Sequence, residues 1–246
     1  DIARCSLENE EMLYRLFGVN AELLIDHAWG WEPCTIAEVK AYKPENNSTS
    51  SGQVLQSPYP YDKALIVIKE MAELSTLDLV EKGLVTNQIV LDIAYDVENL
   101  KNGEKYAGEI VSDRYGRRAP KPAHGTVNIG KYSSSTKEIT EKTVELFERI
   151  VNKNLSVRKL SLTCNHLISE TEVREADEQL SLFDDYEELE KKRVRQLSEL
   201  EKEKKMQKAM LKIKGKYGKN AVIKGLDLQE GATTLERNSQ IGGHKA

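Results

Sequence analysis

Between residues 53 and 167 the spacing of apolar residues switches repeatedly between two and three-to-four, and that switching limits what the chain can fold into. Gln53-Val54-Leu55-Gln56 reads as a short strand, and residues 62–82 as a long helix. A strand follows in which Ile89, Leu91, Ile93 and Tyr95 share one face, with Val90, Asp92 and Ala94 on the other. After a polar, glycine-bearing excursion, residues 126–132 alternate again. Ser135-Thr136-Lys137-Glu138 reads as a capping box, in which serine and glutamate satisfy each other's orphan amides. It opens a helix that turns Ile139, Thr143, Leu146, Phe147 and Ile150 inward, and a last strand puts Leu160, Leu162 and Cys164 on one face. The predicted order is β-α-β-β-α-β, an α+β domain with two helices on one side of a four-stranded antiparallel sheet. The other side is left free, and a free polar sheet face is a place to bind something.

The 246 residues, 39% hydrophobic and 31% charged, provide for one good core and a small second one. No apolar run approaches the roughly 20 residues of a membrane span, and no charged-then-apolar leader marks secretion. The first residue is Asp1, inside what reads as a helical element, so a fragment of a longer protein is expected. Cys5, Cys34 and Cys164 lack metal-ligand spacing, and an odd, unpaired set suits a reducing cytoplasm. The net charge of −4 is an average. Residues 101–137 hold eight Lys/Arg against three acids, and local charge governs phosphate binding.

In chain order, residues 1–43 form a small helical piece. Ser6 or Asn9 caps a helix through Arg15, Phe17-Gly18-Val19 turns, and a second helix occupies 21–29. Such a hairpin can turn the amides around Gly18 and Asn20 toward a phosphate, although many glycine turns between helices touch nothing. Residues 44–52 are a linker by composition, and 53–168 are the βαββαβ domain. Residues 169–185 are acidic and flexible, with an apolar island, Gln179-Leu180-Ser181-Leu182-Phe183, that has no core of its own to enter. Such an island suits a peptide that docks its anchors into a partner's pocket. Residues 186–246 read as a charged helix to about 212, then a small patch of Lys214, Lys216 and Lys219, then a mobile tail.

No P-loop, dinucleotide fingerprint, nucleophile elbow or HExxH occurs. His27, His124, His166 and His244 are isolated, and Asp184-Asp185 more readily solvates a flexible segment than holds a metal. No catalytic residue and no metal ligand is assigned. By itself the chain reads as a binding module.

The glycine-turned hairpin, the Asn/Ser/Gly linker, the βαββαβ domain and the trailing Gln179-Leu180-Ser181-Leu182-Phe183 resemble the C-terminal portion of a Y-family translesion DNA polymerase of the polymerase V/IV type. The resemblance makes 1–43 the distal thumb, 53–168 the little finger domain and 179–183 a bacterial sliding-clamp-binding pentapeptide. The tail, with Glu236-Arg237-Asn238 and Ile241-Gly242-Gly243-His244, is similar to that of the polymerase V-like branch. It implies DNA-damage repair in an SOS response, a primer–template duplex and a sliding clamp as partners, and no membrane. The carboxylates and Mg²⁺ of nucleotidyl transfer would lie in an upstream palm, leaving no cofactor in this chain. The alternative is a free-standing, clamp-tethered adaptor without polymerase activity, and a metal-dependent hydrolase using Asp184-Asp185 is a more remote third class. The expected DNA contacts are Gly18, Asn20, Ser51, Gln53, Arg117, Arg118, Lys131, Tyr132, Ser133, Lys137, Arg158 and Lys159. Lys159 and Ser161 are expected to face outward because they alternate with Leu160 and Leu162.

Overall fold

The computed structural model describes residues 1–42, 47–101, 106–112, 116–173, 186–241 and 244–245, excluding the side chains of 186–190, 192, 241, 244 and 245. The backbone divides between Asn46 and Asn47 into two compact units.

The first unit is helical: α1 (Ile2–Glu8), α2 (Glu10–Phe17), α3 (Asn20–Ala28) and α4 (Ile36–Ala41). Asn9 starts α2 by accepting a hydrogen bond from the Met12 amide at 3.3 Å. Gly18 ends α2 at φ 59°, a left-handed value that a side chain would oppose. α4, an element not expected from the sequence, opens with a full capping box between Thr35 and Glu38. Hydrogen bonding to the Thr35 amide and hydroxyl holds the Glu38 carboxyl below its ordinary value. Among the described apolar side chains of this unit only Leu13 and Ala21 are buried.

The second unit carries the sheet. Its elements are β1 (Thr49–Tyr59), α5 (Tyr61–Lys82), β2 (Leu84–Tyr95), a 3-10 turn at Val97–Leu100, a small hairpin of β3 (Ile110–Ser112) and β4 (Arg118–Pro120), β5 (Ala123–Ser133), α6 (Thr136–Ile150), β6 (Val157–Asn165) and the two-residue β7 (Ile168–Ser169). The four long strands pair in the order β1-β6-β2-β5, every pair antiparallel, with β7 paired to the start of β2. The fold is α+β, as the alternation of periods predicts. β1 is longer than the predicted 53–56 and takes in Thr49, Ser50, Ser51 and Gly52, which read as linker. These residues suit an edge strand, since one flank and one face of it need no apolar partner. Residue 43 and residues 44–46 of that linker lie outside the described residues.

α5 and α6 cover one face of the sheet. Ile68, Met71, Leu79, Ile139, Leu146 and Phe147 from the helices meet Ile89, Leu91, Ile93, Leu160 and Leu162 from the strands, and all are fully buried. Each such side chain contributes about 1.5–3 kcal/mol of transfer free energy. Cys164 sits in this layer, and burial pushes its thiol up to about 12.

A third layer, not expected from the sequence, lies on the far side of the helices. α7 (Tyr186–Tyr217) runs against α5 and the start of α6, and is followed by a 3-10 turn (Gly225–Leu228), α8 (Thr234–Asn238) and the two-residue strands β8 (Gln240–Ile241) and β9 (His244–Lys245). The tail expected to be mobile is docked through polar anchors. Glu70, in the middle of α5 and 2% exposed, accepts hydrogen bonds from the Thr233 amide and hydroxyl and the Thr234 amide at 2.8, 3.1 and 3.1 Å. A buried carboxylate requires such partners, and the start of α8 supplies them, a favourable place for a negative charge. The ion pairs Lys63–Glu230 and Lys224–Glu73 tie the same layer to α5.

Candidate nucleic-acid interface

Residues directly opposite each other in antiparallel strands share a face, so the register identifies the paired side chains on the open side of the sheet. Four cross-strand rows emerge: Asn165, Gln88 and Asn128; Ser50, Thr163, Val90 and Thr126; Gly52, Ser161, Asp92 and His124; and Val54, Lys159 and Ala94. The rows span roughly 20 Å along the strands and the four strands about 14 Å across. Hydroxyls and amides dominate, and several are joined in pairs. Thr163 bonds Ser50 at 3.0 Å, Gln88 donates to Asn128 at 3.0 Å, and Asn165 donates to Gln88 at 3.1 Å. Asp92 and His124 Nδ1 lie 2.6 Å apart, and Lys159 is the exposed cation of the last row. This is a flat, short-chained, nearly neutral face rather than a basic one. Neutral donors of this type can contact a phosphate backbone without reading bases.

Only some of the residues expected to touch DNA lie there. Lys159 does, and its row-mates Val54 and Ala94 leave it standing clear. Ser51 and Gln53 face the other way, because they pair with the buried Leu162 and Leu160. Gln53 is engaged by the tail, donating to the Thr233 hydroxyl at 2.8 Å and accepting from Arg237 at 2.9 Å. Desolvation pulls the Arg237 guanidinium below its ordinary value, and Glu70 opposes that pull. Lys131 and Ser133 both bind the Glu138 carboxylate, at 2.7 and 2.6 Å. Arg158 donates to the Gln56 carbonyl at 3.0 Å and lies 3.7 Å from Asp96. Tyr132 is half-buried, while Lys137 and Arg118 are exposed at the α6 start and on β4.

The α6 start is already occupied by an anion from the same chain. Glu203 of α7 accepts from the Ser135 hydroxyl at 2.7 Å and from the Lys137 amide at 3.1 Å. In the first unit, the Ala21 amide bonds back to Gly18, and Glu22 places a carboxylate in the first turn of α3, which opposes a phosphate beside Gly18 and Asn20. The basic excursion is partly neutralised, since Lys121 pairs with Glu109 at 2.7 Å. Lys105 and Arg114 lie outside the described residues, and Arg117 stands in the turn before β4. Gln179, Leu180, Ser181, Leu182 and Phe183, with Asp184 and Asp185, also lie outside the described residues.

Ser50, Thr126, Thr163 and His124 also lie on the open face and were not among the expected contacts, and Asp92, on the outward side of its strand as the alternation indicates, pairs with His124. Thr163 and Thr126 are the outward neighbours of the buried Leu162 and Val127, so strand alternation alone carries their placement, whereas neutral side chains give no charge signal. Among the described residues, no group of three or more His, Cys, Asp or Glu could hold a metal ion, and no helix is long and apolar enough to cross a membrane.

Residues 46–182, more than half of the chain, match the profile of a family described as the impB/mucB/samB family C-terminal domain. Among curated proteins nothing matches the chain.

Proposed function

The chain belongs to the impB/mucB/samB family, whose C-terminal domain is a C-terminal region of Y-family DNA polymerases, and from that premise we propose that this chain grips the primer–template duplex in DNA-damage repair and docks on a bacterial sliding clamp. Nucleotidyl transfer and its Mg²⁺ would belong to a palm outside this sequence. The open sheet face is the observation that carries the reading. It is the broad polar surface that α5 and α6 leave uncovered, its rows of Ser, Thr, Asn and Gln end in Lys159, and its short side chains let a sugar-phosphate backbone approach closely. Lys137, Arg117 and Arg118 are additional candidate cations. The clamp contact is assigned to Gln179, Leu180, Ser181, Leu182 and Phe183, with Leu182 and Phe183 as the anchors.

The test is titration of a fluorescent undamaged duplex over a range of salt. Wild type should bind weakly and independently of sequence, with a log–log salt slope of about −0.9 per phosphate contacted. A Ser161→Glu/Thr163→Glu variant, which places two carboxylates on the open face, should weaken binding by about tenfold or more, about 1.4 kcal/mol. A flat salt dependence, or equal affinity for the variant, would overturn the DNA-binding face. In the same series, Leu182→Ala/Phe183→Ala should lose about 2 kcal/mol or more against purified clamp if these are hot spots. Equal clamp affinities would move that contact elsewhere.

A further inference from the structure

α7 carries two faces with different fates. Glu203, Gln207, Met210 and Lys214, spaced by four, three and four residues, form the side that packs down. Gln207 is 3% exposed and donates to the Ser134 carbonyl and the Thr136 hydroxyl, both at 2.9 Å. Opposite them, at 100° per residue, run Lys202, Lys205, Lys208, Lys212 and Lys216, all exposed and confined to about a third of the helix circumference. From the first to the last is about 21 Å of helix. Residues 202–219 hold eight lysines and one acid, Glu203, which is bound to the start of α6. Lys204 pairs with Glu170, and Lys214 donates to the Lys219 carbonyl. None of the five stripe lysines makes an ion pair among the described residues, though Lys216 lies over the Tyr217 ring.

A solvated helix face normally mixes signs, with acids three or four residues from bases. The first half of α7 does so. Residues 186–201 hold five acids and four bases, and Arg195 pairs with Glu199 at 3.2 Å. The second half segregates charge, and lysines three and four apart repel one another along the helix with no internal compensation. We propose that this lysine stripe is a second nucleic-acid backbone surface, separate from the open face of the sheet. The inference rests on the DNA-binding reading above for the identity of the polyanion. α7 lies outside the helical layer, beside Glu73 and Leu77 of α5, and its stripe points away from its docked face, hence away from the sheet. A duplex on the sheet would leave the stripe free for another stretch of phosphates. Lysine offers point charges to phosphates without base readout. Met210 packs on the domain, but Met206, Ile213 and Tyr217 beside the stripe are exposed, so an anionic lipid surface is the competing occupant that the vesicle measurement below separates from nucleic acid.

The experiment uses the full chain with Lys205→Gln/Lys208→Gln/Lys212→Gln/Lys216→Gln, substitutions at exposed positions that keep helix propensity, and checks helicity by circular dichroism. Against the same duplex, the salt slope should become shallower by about 3 to 4 relative to wild type. The open-face variant should keep that part of the slope, and the combined variant should fall to background. Wild-type slope and affinity in the stripe variant, while the open-face variant is impaired, would overturn this inference and leave the sheet reading standing. An impaired stripe variant beside an unimpaired open-face variant would sink the sheet reading and keep the stripe. Loss of binding only to anionic vesicles or to polyglutamate, with DNA binding unchanged, would assign the stripe to another partner and overturn it as well.

Discussion

Gly125 shows how closely the helical layer presses on the strand that carries part of the open face. A Cβ there would stand 2.8 Å from Ile150 Cγ2 and 3.0 Å from Leu146 Cδ1, so these side chains, or α6 with them, would have to shift. Gly125→Ala is therefore expected to cost about 1–3 kcal/mol through overpacking, read as a drop of several degrees in Tm. An unchanged Tm would mean that Ile150 and Leu146 repack freely. His124 and Thr126 flank this glycine on the open face, so the same substitution would also disturb the proposed contact surface. Residue parity was legible in the sequence wherever a buried neighbour anchored the count: Leu160 and Leu162 correctly put Lys159 and Ser161 outward. It gave no handle on Lys131 and Ser133, which lie beyond Gly130 (φ 91°) and the break in β2–β5 register and meet Glu138. A lysine beside a glutamate on the next helix looks no different in sequence from a free one.

At the scale of elements, the start of α6 was half legible. Ser135 caps as expected, accepting from the Glu138 amide at 3.3 Å. Glu138 does not reciprocate, however. Its carboxylate turns to Ser133 and Lys131, and the Ser135 amide donates to the Ser133 hydroxyl at 3.0 Å. Ser133 thus takes the place of Glu138, and α7 adds a further acceptor, since Glu203 takes the Ser135 hydroxyl and the Lys137 amide. A contact between positions so far apart in sequence leaves no local pattern to find. Glu203→Ala should remove a carboxylate from a helix N-terminus and cost about 1–2 kcal/mol. Hydrogen exchange locates the loss, with faster exchange expected at the amides of 136–138 and along residues 203–214. Faster exchange in α6 alone would show that α7 is held by Gln207 without help from Glu203.

For the whole molecule, the sheet and its two helices declared themselves through periods of two and three-to-four, whereas the docked tail did not, because its anchors are polar and aperiodic. The family match ends at residue 182, yet the compact unit that begins at Asn47 includes the segment from α7 onward. Glu70 links the two parts. It sits on the side of α5 away from the sheet, where an apolar residue would have been expected if nothing covered it except a neighbouring helix. Its three hydrogen bonds all come from Thr233 and Thr234. Hydrogen bonds to a charged group contribute roughly 1.5–3 kcal/mol each and are not additive, so Glu70→Ala in the full chain should cost about 3 kcal/mol in chemical denaturation. Removing residues 218–246 eliminates the partners and opens Glu70 to water. In that truncated background the same substitution should cost less than about 1 kcal/mol, and the difference between the two measures the coupling between α5 and the tail. Equal costs in both backgrounds would mean that Glu70 is satisfied within the α5 surroundings and that the tail only rests against it.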